Sequence, residues 1–492
     1  MIGRRSFLQK SALTLGAVAM EKWPLATAQK SSAMIGIQVG AISFLDEGTG
    51  RVLDGFQEMA GVNTLFLATF TYGRGIAGRQ PRPNPLPDHG KQEYDDQFHG
   101  GNFATPHPQY YRNTSIQPEK APDHPNYDVI ADVLPEAHRR GMKVICWFED
   151  VFRKDVAGVD QAVEIDLHGK PTTRTCMRNR NARNFWLGLA EDYLRSYDID
   201  GLMWGSERQG PLNNALGSSH GGGANPANVG CFCNYCQEAA REEGINVDRA
   251  RQGYLALERW ISEMKNGRRP TDGAFVTFWR ILVTHPEVLA WERLWNNGLQ
   301  DTYRAMYQHA RSIKPATPVG WHVWHNNSFS PLYRAEQDYK EFSKYSDYLK
   351  VVMYNNCGGP RMAQYVRNVN STLFADLTPE QALEFIYSVQ QYPNEKRLGQ
   401  IAHDGLSADY VLRETRRAVA GVNPNVKIWP GIDIDIPTGA NEKKTQPDDV
   451  YQAVKAAFAG GAQGVILSRK YSEMKLANLR AAGRAVRELK LA

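Results

Sequence analysis

The sequence predicts an α/β protein built as a single (β/α)₈ TIM barrel, and three observations carry that prediction. Eight short apolar runs alternate with amphipathic helical stretches along one chain, which is the order of repeated βα units. Most of those runs end abruptly in charged or polar residues, as barrel strands do at the face that carries chemistry. The chain has 492 residues, 42% of them hydrophobic and 23% charged, enough for one large core with insertions. A doubly wound sheet is the main competing architecture.

The first 28 residues read as an export leader. Gly3-Arg4-Arg5-Ser6-Phe7-Leu8-Gln9-Lys10 is a twin-arginine pattern, followed by a mildly apolar segment from Ser11 to Met20 and a small-residue cleavage site, Ala26-Thr27-Ala28. The expectation is a periplasmic or secreted protein delivered by the twin-arginine machinery, with the barrel spanning residues 33–490. No later stretch reaches the roughly 18 consecutive apolar residues of a membrane span. The formal charge is +5, of which the leader holds four bases against one acid. The remainder therefore carries about +2, with no basic run that argues for nucleic acid.

The elements follow in order. Met34 to Ile42 is the first strand and Gly50 to Ala60 the first helix; Val62 to Phe70 is the second strand, leading into Thr71-Tyr72-Gly73-Arg74. Residues 75–126 are rich in Pro, Gly, His, Asn and Tyr without helical period, and their aromatics suggest an ordered loop folded over a site. After a helix from Tyr127 to Arg140, Gly141 to Phe148 forms the third strand and closes on Glu149-Asp150. A helix from Phe185 to Tyr197 precedes the fourth, which runs from Asp198 towards Glu207-Arg208. A Cys-rich loop and a helical insertion are expected over 213–312. Val319 to His325, Tyr348 to Tyr354, Val426 to Asp435 and Gly464 to Ser468 complete the eight strands. The later helices are read at Ala335 to Tyr345, Pro379 to Gln391, Ser407 to Ala420, Pro447 to Ala459 and Ser472 to Leu489. Asn355-Asn356 and Gly358-Gly359-Pro360 read as a tight strand-to-helix loop or a turn.

Polar groups collect at the strand ends. Tyr72 follows the second strand; Trp147, Glu149 and Asp150 belong to the third; Glu207 and Arg208 to the fourth; His322 and His325 to the fifth; Tyr354 to the sixth; Asp433 and Asp435 to the seventh; Arg469 to the eighth. Glycosidic cleavage needs two carboxyl groups, one protonated and one ionised, across the scissile bond. The carboxylates at these strand ends are the candidates for that pair, and the other residues named are the expected substrate contacts. Flat tryptophan faces beside carboxylates suit sugar rings, although packing in the barrel is the better account of any single one.

The Asp-Gly-x-x-x-Gly-x-Glu stretch over 200–207, followed by Cys231-x-Cys233-x-x-Cys236, resembles the glycoside hydrolase-like barrels of exported bacterial proteins. That resemblance implies a barrel and a carbohydrate substrate. In the largest glycosidase clan on this barrel the fourth and seventh strand ends hold acid/base and nucleophile, which the resemblance carries to Glu207 and Asp433. This chain departs from that clan with Ser206 before the glutamate and with aspartates after strand seven. The three clustered cysteines have two competing explanations besides free thiols: a structural zinc, with Cys176, Cys357 or His220 as fourth ligand, or disulfides. No cofactor is expected for catalysis. A divalent-metal-dependent sugar isomerase, epimerase or lyase, and a non-catalytic carbohydrate-binding barrel, stand as the alternatives.

Overall fold

In the computed structural model of the protein, residues 33–71, 77–150, 155–225 and 228–491 are described. Tyr72 and residues 1–28, read above as an export leader, lie outside them.

The core is a ring of parallel strands: β1 (Met34–Gly40), β2 (Thr64–Thr71), β3 (Lys143–Glu149), β4 (Gly201–Gly205), β5 (Val319–Val323), β6 (Tyr348–Val351), β7 in two pieces (Lys427–Ile428 and Gly431–Asp433) and β8 (Gly464–Ser468). Each strand pairs with the next, and β8 returns to β1 with Ile35 opposite Val465. The two pieces of β7 close the ring, because Lys427–Ile428 pairs with β6 whereas Gly431–Asp433 pairs with β8. Pro430 sits at the break, where a residue without an N–H cannot donate to a ladder. The α/β barrel is therefore the observed fold.

The strands are buried on both faces, which is why they read as near-continuous apolar runs. Inside the ring, large rings are met by missing side chains. A Cβ on Gly320 would fall 2.3 Å from the Tyr348 ring, so only glycine fits opposite that tyrosine. Tyr348 stacks on Trp429 with centroids 4.1 Å apart. Such rings, removed from water, each contribute roughly 4–6 kcal/mol at about 25 cal/mol per Å².

Three local expectations change. Residues 355–360 form neither a loop nor a turn: helix Asn355–Asn370 begins directly after β6 with Gly358, Gly359 and Pro360 inside it. The two glycines let that helix pass close to its neighbour, since a Cβ at Gly359 would meet the Ile401 carbonyl oxygen at 2.0 Å. The helix read at 335–345 is two short ones, Pro331–Glu336 and Tyr339–Phe342. The fifth strand stops at Val323, and His325 opens a 3₁₀ turn, His325–Ser328.

Two long excursions interrupt the alternation. The described part of the loop after β2 pairs Gly101–Asn102 antiparallel with the end of β2 and buries Phe98, Phe103 and Tyr111. The stretch after β4 contains helices Asn234–Glu242, Val247–Lys265 and Ala274–Thr284 before the 27-residue helix Glu287–Ile313 that leads into β5. No helix among the described residues is long and apolar enough to cross a membrane.

Candidate active site

The ends of β3 and β4 bring two carboxylates into one cavity. Glu149 pairs with Gly205 in the parallel ladder, so Glu207, two residues further on, leaves the barrel beside it. Both line a cavity of about 260 Å³ with Asp150, Thr173, Arg174 and Arg208.

Their surroundings push the two groups apart. Glu207 is half exposed at the cavity mouth, its side chain at 50%. Removal from water would raise its pKa, but the hydrogen bond from the His322 ring and the electrostatic pull of His322, the Arg361 guanidinium and His220 outweigh that and hold it down at about 2. His322 Nε2 stands 2.8 Å from Glu207 Oε1. Glu149 has no hydrogen-bond partner for its carboxyl group among the described residues. Desolvation, then the neighbouring Glu207 charge, push it up to about 8, with Lys350 and Arg469 opposing. The two shifts run in opposite directions, Glu149 up and Glu207 down, which is the division that acid/base chemistry needs.

Asp150 and Arg208 form the floor rather than free contacts. The guanidinium Nε lies 2.6 Å from Asp150 Oδ2, and Ser206 donates to the same oxygen at 2.9 Å. Both are almost fully buried, and Arg208 also donates to the Thr175 carbonyl and hydroxyl. Burial still carries Asp150 up to about 6 against the Arg208 charge.

Asp433 is not among the residues that line this cavity. It is fully buried, and its carboxylate accepts the backbone N–H groups of Cys357 and Ile436, both at 2.9 Å. Its oxygens thus tie the end of β7 to the start of helix Asn355–Asn370. Asp435 lines a separate lobe of about 680 Å³ with Arg361, Cys357 and Pro83–Pro85 of the long loop, and desolvation lifts it to about 7. His325 is buried, within 3.1 Å of Tyr410 Oη and 2.9 Å of Arg361 Nη1. Arg469 forms a two-point ion pair with Glu473. Trp147 is fully buried inside the barrel, with the Lys350 ammonium 5.7 Å from its ring centre. Tyr354 is buried, and its hydroxyl accepts from Lys350 at 3.0 Å.

Two residues at the centre went unread in the sequence. Lys350 points into the barrel from β6 and Gln38 meets it from β1 at 2.7 Å. A lysine inside the apolar run Tyr348-Leu-Lys-Val-Val-Met was the available signal, since a charge in a buried strand needs a reason. A Cβ at Gly431 would come 2.9 Å from Lys350 Cε, so β7 makes room for its stem.

The cysteines gather beside this cavity. Sγ atoms of Cys176, Cys231, Cys233 and Cys236 all lie within 4.8 Å of one another, and they are the one such group of potential metal ligands among the described residues. Cys176 Sγ is 3.6 Å from Cys236 Sγ and from Cys233 Sγ. A disulfide needs about 2.05 Å. A tetrahedron with Zn–S bonds of about 2.3 Å has edges of about 3.8 Å. The Ile165 N–H points at Cys231 Sγ at 3.4 Å, a donor suited to a thiolate. Cys357 lies elsewhere, packed with Val352, Tyr354 and Ile436. His220 packs against Trp324, His325 and Phe329 in tilted and edge-on ring contacts. Cys176, the fourth thiol of the group, follows the strand Pro171–Thr175, of which Thr173 and Arg174 line the cavity.

No family model matches the chain, and no curated protein matches it in sequence. Among solved structures the chain is similar to a β-galactosidase from the Antarctic haloarchaeon Halorubrum lacusprofundi, with TM-score 0.51 at 13% identity, over 93% of this chain and 58% of that one. It is also similar to a β-galactosidase from Marinomonas ef1, with TM-score 0.50 at 11% identity, over 93% and 59%. An α-L-fucosidase from Paenibacillus thiaminolyticus follows at TM-score 0.47 and 14% identity, with 49% of its chain covered. The chain thus spans between about half and three-fifths of these three proteins. Its structural neighbours are glycosidases, and the likeness to the two β-galactosidases is one of fold.

Proposed function

We propose that the protein is a glycoside hydrolase in which Glu149 is the proton donor and Glu207 the ionised partner. The observation that carries this reading is the pair itself: two carboxyl groups lining one cavity, one lifted to about 8 and the other held at about 2. A leaving glycosidic oxygen needs a proton from a group that still holds one at neutral pH, which Glu149 does. The developing oxocarbenium ion, or the attacking water, needs a carboxylate on the other side, which Glu207 supplies. The expected role of Glu207 as acid passes to Glu149, because the His322 hydrogen bond stabilises the form of Glu207 that has no proton to give. The expected role of Asp433 passes to Glu207, because both Asp433 oxygens are engaged by backbone N–H groups inside the fold.

The same reading places a zinc ion among Cys176, Cys231, Cys233 and Cys236, where it would fasten the cavity wall and take no part in bond cleavage. The Sγ separations support a tetrahedral thiolate site over a disulfide. The twin-arginine leader supports delivery to the periplasm or beyond, a route that carries folded, metal-loaded protein.

Turnover of a broad panel of aryl glycosides and oligosaccharides by the purified protein tests the assignment. Glu207→Gln should lower turnover at least about a hundredfold on every substrate. Glu149→Gln should do the same on natural glycosides and much less on aryl glycosides with acidic leaving groups, which need no proton. Activity lost to chelator while Glu149→Gln stays active would move the metal-dependent isomerase or lyase class to first place. Sugar binding without turnover, unchanged in both variants, would favour a binding barrel.

A further inference from the structure

At the centre of the barrel sits a buried amine that the proposed chemistry does not use. Lys350 is fully buried, and its Nζ has three polar neighbours: Gln38 Oε1 at 2.7 Å, Tyr354 Oη at 3.0 Å and His322 Nδ1 at 3.3 Å. An ammonium group has three hydrogens and no lone pair, so three acceptors satisfy it completely. The other nitrogen of the same imidazole, Nε2, is the one 2.8 Å from Glu207.

We propose that Lys350 is a positioning residue that fixes His322 in the neutral tautomer protonated on Nε2, so that His322 always presents a donor to Glu207. The reasoning is an accounting of protons. While Lys350 is charged it can only donate, so Nδ1 must accept and the imidazole proton must sit on Nε2. If Lys350 is neutral, its lone pair can take the Tyr354 hydroxyl proton while its two hydrogens stay on Gln38 and His322. The opposite tautomer would set an imidazole lone pair against a carboxylate at 2.8 Å. An imidazolium would have to donate from Nδ1 as well, which a charged Lys350 forbids.

The titratable and charged groups around this chain are Glu149, Glu207, His325, Tyr354 and Arg469. Burial and Lys350 lower the pKa of His322 while Glu207 raises it. Burial likewise lowers Lys350, to about 7, with Glu149 and Glu207 opposing. The Glu207 carboxylate therefore favours one positive charge across Lys350 and His322, and the geometry keeps it on the lysine. The tautomer stands apart from the glycosidase reading, whereas its effect on turnover rests on it.

The test is ¹⁵N NMR of the full chain with labelled histidine, the His322 signals being assigned by their loss in His322→Gln. The wild-type protein is expected to show His322 neutral and protonated on Nε2 from pH 5.5 to 8. Lys350→Met, or Lys350→Gln should the former not fold, is expected to raise the His322 titration midpoint by at least about one pH unit. Protonation of wild-type His322 on Nδ1 or as imidazolium at pH 7 would overturn the proposal with no variant needed. An unchanged His322 titration in a folded Lys350 variant would overturn it as well. Neither readout uses activity, so a protein that cleaves no glycoside still decides it.

Discussion

Cys176 Sγ lies 3.6 Å from Cys236 Sγ, although sixty residues separate the two in the chain. The contact joins the segment after the short hairpin of Val163–Ile165 and Pro171–Thr175 to the helix Asn234–Glu242 of the insertion. Thr175, one residue before Cys176, lies against Asp150 and Arg208, so the cluster backs the wall of the carboxylate cavity.

The purified protein is expected to contain close to one zinc per chain by elemental analysis. Cys233→Ser should lower that content and shift the urea midpoint downward, because ligand loss removes binding energy that is also folding energy. Full zinc occupancy in a Cys233→Ser, Cys176→Ser double variant would sink the thiolate site.

The carboxylate pair sets a pH profile. kcat/KM should fall on the basic side through about pH 8 as Glu149 loses its proton, and on the acid side only towards pH 2 as Glu207 gains one. Glu149→Gln should abolish the basic limb on aryl substrates that need no acid. A basic limb unchanged in that variant would remove Glu149 from the role.

Stability should carry the opposite signs of the two shifts. The folded state holds the Glu149 proton more tightly than the unfolded chain, so its contribution is present below pH 4.5 and is lost as pH rises to about 8. Glu207 is lowered, so its contribution is present above pH 4.5 and lost as pH falls to about 2. Urea unfolding from pH 5 to 8 should show a decline in stability that flattens in Glu149→Gln.

Asp433→Asn tests whether a carboxylate held by two backbone N–H groups takes part in the chemistry. Asp433→Asn leaves one of two buried N–H groups facing an amide, at a cost of about 1–3 kcal/mol. Denaturant unfolding should register that loss, while turnover of the remaining folded protein changes by less than about tenfold. A fall of three orders of magnitude at unchanged stability would restore it as nucleophile.

Arg208→Met leaves Asp150 buried without its partner. Removing one member of such a pair costs about 3–5 kcal/mol, and unfolding should show it. Arg208→Met with Asp150→Leu is expected to recover most of that stability, which a direct contact between Arg208 and substrate would not explain.

The barrel was legible because its signals are local. Buried parallel strands must be apolar throughout, the helices between them must show a 3.6 period, and both patterns survive in one dimension from Met34 to Glu488. Glu149 and Glu207 could be picked out for the same reason, as charges at the ends of apolar runs. Helix Asn355–Asn370 was hidden because Gly-Gly-Pro marks a turn by propensity, whereas here Gly359 serves a close approach to Ile401 and Gly358 one to Leu406. The division of roles was hidden too. Whether a carboxyl group keeps its proton depends on donors and charges from other strands: His322 on β5 and Lys350 on β6 for Glu207 and Glu149, Cys357 and Ile436 for Asp433. Sequence by itself determined where the strands end and which residue types stand there. Only the tertiary structure decided which carboxylates face a cavity and which are sealed by backbone N–H groups, because electrostatic environment is set by neighbours in space.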